Sequence, residues 1–93
     1  AIEGLTVSLA AELAPKVRVN CIAPSLTESS MSKSVIANVN VKKAIESFHP
    51  IPKIGQPEDH SKLSAFLIGK SNTWITGQIF NIDGGRSTLR TKG

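Results

Sequence analysis

The sequence has no tyrosine and only one cysteine, one methionine and one tryptophan in 93 residues. A single cysteine, Cys21, excludes an internal disulfide and offers no thiolate cluster for a metal. No apolar run is long enough to cross a membrane as a helix, and no basic-then-apolar leader is present. A protein of a reducing compartment, the cytoplasm, without a membrane partner is therefore expected. Phe48, Phe66, Phe80 and Trp74 are the only aromatic residues, too few and too scattered for a base-stacking platform. The net charge of +4 does not change that reading. Residues 1–85 carry eight basic and seven acidic side chains, a net of +1, and the rest comes from Arg86, Arg90 and Lys92 in the tail. Such a tail reads as a solvated terminus, so no nucleic-acid partner is expected.

The chain is long enough for one small domain. It has no initiator Met and begins inside an amphipathic pattern, which reads as part of a longer polypeptide. Ile2, Leu5, Leu9 and Leu13 form one helical stripe over residues 1–14, closed by Pro15. The β-branched stretch 17–23, "VRVNCIA", predicts a strand, apolar on both faces apart from Arg18 and Asn20. Residues 24–52 are irregular. Within them "VNVKKAIESF" returns to helical spacing, with Val41, Ala44, Ile45 and Phe48 on one face. This excursion is either a movable cover over a site or an ordinary surface connection. A helix over 57–69 follows, opened by Pro57, Glu58 and Asp59, buried through Leu63, Phe66 and Leu67, and ended by Gly69. A last strand over 75–83, centred on Gln78 to Ile82, and a tail over 84–93 complete the chain. A strand, a crossover and a second strand imply a right-handed parallel unit.

The blocks "AIEGLTVSLAAELAP", "VRVNCIAPS", "GQPEDHSKLSAFL" and "WITGQIFNIDGG", in this order and spacing, resemble the C-terminal part of a classical short-chain dehydrogenase/reductase. The resemblance covers about residues 1–88. It implies an α/β fold, the C-terminal portion of a Rossmann-type doubly wound parallel sheet, with these as the last two strands and their flanking helices. It also implies NAD or NADP as cofactor and a small alcohol or carbonyl compound as substrate. The family's catalytic Ser, Tyr and Lys and its glycine-rich phosphate turn have no counterpart here, so the chain alone is expected to be inactive.

The resemblance assigns "PSLTES" to the nicotinamide contact. Pro24 keeps its place, Ser25 stands where Gly is usual, Thr27 takes the position whose backbone bonds the carboxamide, and Ser29 replaces a Thr. Read without the resemblance, the stretch is a turn with capping hydroxyls. Met31, Val35 and Ile36 fall in the family's substrate lid, where they either face an apolar substrate or pack on the helix below. Lys53 stands where Arg is usual, keeping the charge without the planar fork. His60, on the face of Leu63 and Leu67, reads as a packed or interfacial residue, and His49 as a helix end. Cys21 reads as a buried small side chain and Trp74 as a packing anchor. Two functions stay open. One is a piece of an NAD(P)-dependent oxidoreductase that forms a homo-oligomer, a dimer or tetramer, through its first helix and last strand. The other is a stand-alone structural module that self-associates without catalysis.

Overall fold

The computed structural model describes residues 1–90; Lys92 of the basic tail lies outside the described residues. The elements run α1 (Ile2–Leu13), β1 (Cys21–Pro24), α2 (Lys33–Ile36), α3 (Val39–Ser47), α4 (Pro57–Ile68) and β2 (Ile79–Ile82). β1 and β2 pair in parallel, with Cys21 opposite Ile79 and Pro24 opposite Ile82. Pro24 closes the ladder, as a residue without an N–H must.

Both strands are shorter than the sequence pattern suggests, because their leading halves meet largely through side chains. The Val19 N–H donates to Thr76 Oγ1 at 3.0 Å. Asn20 accepts from the Gln78 N–H at 3.1 Å and donates to the Ile75 carbonyl at 3.0 Å. Arg18 donates to the carbonyls of Ile75 (3.1 Å) and Leu67 (2.6 Å). The Leu67 carbonyl lies in the last turn of α4, where carbonyls lack helical partners and the helix dipole favours a cation. The two polar residues of the "VRVNCIA" strand are thus clasps between α4 and the approach to β2. Arg18→Met is expected to destabilise the protein by about 1–3 kcal/mol, since it strips charge-assisted bonds from two carbonyls. Arg18→Lys should recover only part, because one ammonium lacks the fork that reaches both. Denaturant melts of the two variants, made in the native polypeptide, would decide this, and an unchanged midpoint for Arg18→Met would contradict the clasp.

The helices bury faces other than those the pattern suggests. In α1 the buried residues are Thr6 and Ala10, while Ile2 and Leu5 are more than half exposed. Small residues let α1 approach the start of β2 closely. A side chain at Gly77 would meet Ala10 Cβ at 3.6 Å. Gly77 itself sits at φ 71°, a conformation disfavoured for any other residue. In α4, Leu67 is buried as expected, but Phe66 is 55% exposed. Gly69 ends that helix in extended backbone rather than in a left-handed turn. Trp74, expected to anchor packing, is 98% exposed, and Cys21, expected to be buried, is half-buried. On α3, Val41 and Phe48 are exposed and only Ile45 of the apolar face is partly covered. Among the described residues the buried apolar side chains reduce to Ala10, Ile54 and Leu67.

Candidate functional site

The chain leaves β1 at Pro24 and enters a segment held by bonds from three directions. The Gly55 N–H donates to the Leu26 carbonyl at 3.0 Å, and the Glu28 N–H donates to the Gly55 carbonyl at 2.7 Å. This pair makes a parallel bridge between Thr27 and Gly55. In such a bridge the neighbours of Thr27 bond Gly55, so the N–H and C=O of Thr27 itself point to the other side. The C=O accepts from Ser32 Oγ at 2.8 Å. Among the described residues the Thr27 N–H has no hydrogen-bond partner.

Ser29 and Ser32 brace each other. Ser32 Oγ accepts from the Ser29 N–H at 2.9 Å, and Ser29 Oγ accepts from the Ser32 N–H at 3.2 Å. Hydroxyls competing with the backbone for local partners produce such turns. Ser32 is buried and Ser29 is exposed. Side chains beneath complete the cradle. Ser25 Oγ lies 2.8 Å from His49 Nε2, and Thr27 Oγ1 lies 2.8 Å from His60 Nε2. His49 is 5% exposed.

A cavity of about 180 Å³ opens here, lined among others by Ser25, Thr27, His49, His60, Ile82 and Gly84. Of the residues singled out in the sequence, the structure brings Ser25 and Thr27 to its wall. Pro24, exposed at the strand end, and Ser29 lie beside it without lining it. Met31, at 92% exposed, and Val35 face solvent, Ile36 is half-buried, and none of the three lines the cavity. The sequence reading missed the histidines as parts of one cluster. They lie 24 and 33 residues from the hydroxyls they bond, and no local pattern reports that.

Two carboxylates shape the rim. Asp59 opens α4 by accepting from the Gln56 N–H at 2.6 Å, a capping bond that satisfies an otherwise unpaired donor. The Lys53 ammonium, 2.8 Å away, and then the Gln56 N–H hold its carboxyl below the ordinary carboxylate value. The Ser87 hydroxyl, followed by the N–H groups of Gly85 and Ser87, does the same for Asp83. Those amide bonds, 3.0 and 3.2 Å long, stabilise a turn in which Gly84 and Gly85 sit at φ 63° and 89°. Because folding depresses the Asp59 pKa, the unfolded chain takes up the proton first as pH falls. The contribution of Asp59 is complete above the unfolded carboxylate value and disappears as pH drops through the lower folded value. Asp59→Asn should therefore flatten the acid limb of the stability curve, read as Tm against pH. An acid limb as steep as that of the unmodified protein would contradict this role.

The site offers a fixed main-chain donor and acceptor at Thr27, hydroxyls on either side, and a partly apolar hollow. Ser25 and His49 form a hydroxyl–imidazole pair, but no carboxylate orients the ring. His49 Nδ1 is oriented by the Ile45 carbonyl at 2.8 Å, and the ring N–H there meets a carbonyl rather than a carboxylate. Among the described residues no three His, Cys, Asp or Glu side chains gather as a metal site.

Residues 1–87 match the family profile described as Enoyl-(Acyl carrier protein) reductase. An uncharacterized oxidoreductase of Mycobacterium tuberculosis is 41% identical over 86 residues, covering 91% of this chain and 34% of its own length. A 3-oxoacyl-[acyl-carrier-protein] reductase of Chlamydia trachomatis is 38% identical over 85 residues, 90% of this chain and 34% of the reductase. Among solved structures, a 4-hydroxyisoleucine dehydrogenase mutant complexed with NADH and succinate superposes with a TM-score of 0.90 at 29% identity, covering 98% of this chain and 38% of that one. ElxO with NADP bound gives 0.86 at 33% identity, over 96% and 37%. The chain thus spans about a third of the length of the curated relatives it matches.

Proposed function

The chain belongs to the short-chain dehydrogenase/reductase family, and on that premise we propose that it supplies the nicotinamide-facing segment and the substrate cover of an NAD(P)-dependent oxidoreductase. The reaction is hydride transfer between the cofactor and a small alcohol or carbonyl compound. One observation carries the assignment of the site: the N–H and C=O of Thr27 point away from the Gly55 bridge as an adjacent donor and acceptor. A carboxamide needs one acceptor and one donor in fixed orientation. The Thr27 carbonyl keeps a second lone pair beside its bond from Ser32. Ser25 and Ser29 flank it with hydroxyls, and Pro24 fixes the exit from β1.

When bound, the cofactor supplies the hydride. This chain's part is to orient the ring and, with Met31, Val35 and Ile36 on the α2 excursion, to cover the substrate. Proton transfer to the carbonyl oxygen needs an acid near neutral pH. The resemblance implies a Tyr as that acid and this chain contains none, so on this proposal the acid lies outside these 93 residues. Homo-oligomer formation through α1 and β2, and residence in the cytoplasm, belong to the same proposal. The reading as a self-associating module without catalysis shares the exposed faces of α1 but gives Thr27 no task.

The native polypeptide, isolated from its source, tests this reading. Its intact mass should exceed that of 93 residues, and it should oxidise NADH or NADPH with at least one member of a carbonyl panel. A native polypeptide without affinity for either nucleotide would overturn the proposal.

A further inference from the structure

Four hydrogen bonds converge on the segment from Ser25 to Thr27, and two histidines from different elements supply the ends. His49, just past the C-terminal end of α3, has both ring nitrogens engaged, Nδ1 with the Ile45 carbonyl and Nε2 with Ser25 Oγ, each at 2.8 Å. A carbonyl oxygen can only accept, so Nδ1 carries the proton. In the neutral ring Nε2 is then the acceptor, and Ser25 donates to it. His60, in the first turns of α4, meets Thr27 Oγ1 through Nε2 at 2.8 Å. That hydroxyl spends its single proton on the Ser25 carbonyl, 3.0 Å away. The hydroxyl must therefore accept from His60, and Nε2 carries the proton there. His60 Nδ1 is left as the bare nitrogen, buried and without a partner among the described residues.

We propose that His49 and His60 are paired positioning residues that grip the Ser25–Thr27 segment from α3 and α4 in opposite ring tautomers, and so fix the backbone at which nicotinamide is read. The proposal rests on the reading of Thr27 as the carboxamide contact. The grip joins three parts of the fold. Through Ile45 and His49, α3 is tied to Ser25. Through His60, α4 is tied to Thr27. The Ser25 carbonyl, bonded by Thr27, closes the pair. A shift of α3 is carried by one ring to the residue two before the carboxamide contact. Neither ring touches reacting atoms on this account, and neither is a catalytic residue.

The tautomers are tested first, on the unmodified native polypeptide. Long-range ¹H–¹⁵N correlation spectra distinguish Nδ1–H from Nε2–H in each ring. His49 should show the first and His60 the second, and the same tautomer in both rings would overturn the grip. Kinetics test the role. Asparagine at His49 keeps the Nδ1 position and loses the reach to Ser25, whereas glutamine reaches the Nε2 position. Leucine at His60 keeps the bulk without the donor, and glutamine restores it. His49→Asn and His60→Leu should each raise KM for NAD(P)H about threefold to tenfold, the effect of one lost hydrogen bond. His49→Gln and His60→Gln should recover most of that loss. Lower Tm with unchanged cofactor KM would make the histidines merely structural and overturn the proposal. If the unmodified polypeptide lacks nicotinamide affinity, the proposed function and this role fail together, while the spectra still report whether the grip exists.

Discussion

Expressed by itself, the 93-residue chain is expected to self-associate or to be partly unfolded, and not to persist as a stable monomer. Its surface is too large for its mass. A folded monomer of 9.9 kDa exposes about 5,200 Å² by the usual scaling, whereas this chain exposes 6975 Å². The excess, roughly 1,800 Å², is on one side alone about what a standard protein interface buries in total. The radius of gyration agrees, at 15.8 Å against about 12 Å for a compact chain of this length. Large apolar side chains are left outside from Ile2 to Leu89. Among them, Ile2, Leu5 and Leu13 fall along α1, and Val17 leads into β1, whose sheet has two strands among the described residues. Unpaired strand edges are templates for further pairing. Sedimentation should show oligomers, aggregates or a broad distribution. A monodisperse monomer that melts cooperatively well above room temperature would contradict the expectation.

The second large effect is expected at Gly55. This glycine does not use the left-handed region of backbone space; it is needed for clearance. A Cβ there would stand 2.9 Å from Thr27 Oγ1 and 3.3 Å from the Leu26 carbonyl. Thr27 Oγ1 cannot swing aside freely, because it bonds both the Ser25 carbonyl and His60. Relief requires breaking those bonds or opening the bridge that orients the Thr27 main chain. Overpacking of this kind costs about 1–3 kcal/mol, so Gly55→Ala should weaken NAD(P)H binding by about tenfold or more. Gly77→Ala is the control. Its new Cβ meets only Ala10 at 3.6 Å, and its penalty is backbone strain at a residue that does not line the cavity. It should lower Tm while leaving cofactor affinity within about twofold. Equal effects of the two variants on affinity, measured by nucleotide fluorescence in the native polypeptide, would sink the argument that Gly55 acts through Thr27.

The order of elements was legible because each carries its own signal. Pro57 with Asp59 announces α4, helical spacing announces α3, and Pro24 bounds β1. The Rossmann-type class, with this chain as one portion of it, followed from four blocks in register. Burial was not legible, for a physical reason. Leu5, Phe66 and Trp74 look like core residues by type and spacing, yet all three are more than half exposed. Small Thr6 and Ala10 make the contact instead. The strands were overestimated because Arg18, Asn20 and Thr76 replace ladder bonds by side-chain bonds that mimic them. At the site, Ser25 and Thr27 were named from a resemblance alone. The histidines beneath them were read singly, His49 as a helix end and His60 as a packed residue; their hydroxyl partners are 24 and 33 residues away and appear only once α3 and α4 are folded back.

On the function proposed above, this chain orients nicotinamide and covers the substrate while the proton donor lies outside its 93 residues. The most direct measurement compares NADH and NADPH oxidation, with a panel of aldehydes and ketones, by the 93-residue chain and by the native polypeptide that contains it. The claim predicts turnover by the native polypeptide and none above background by the 93 residues alone. Cofactor oxidation by the 93-residue chain would contradict it.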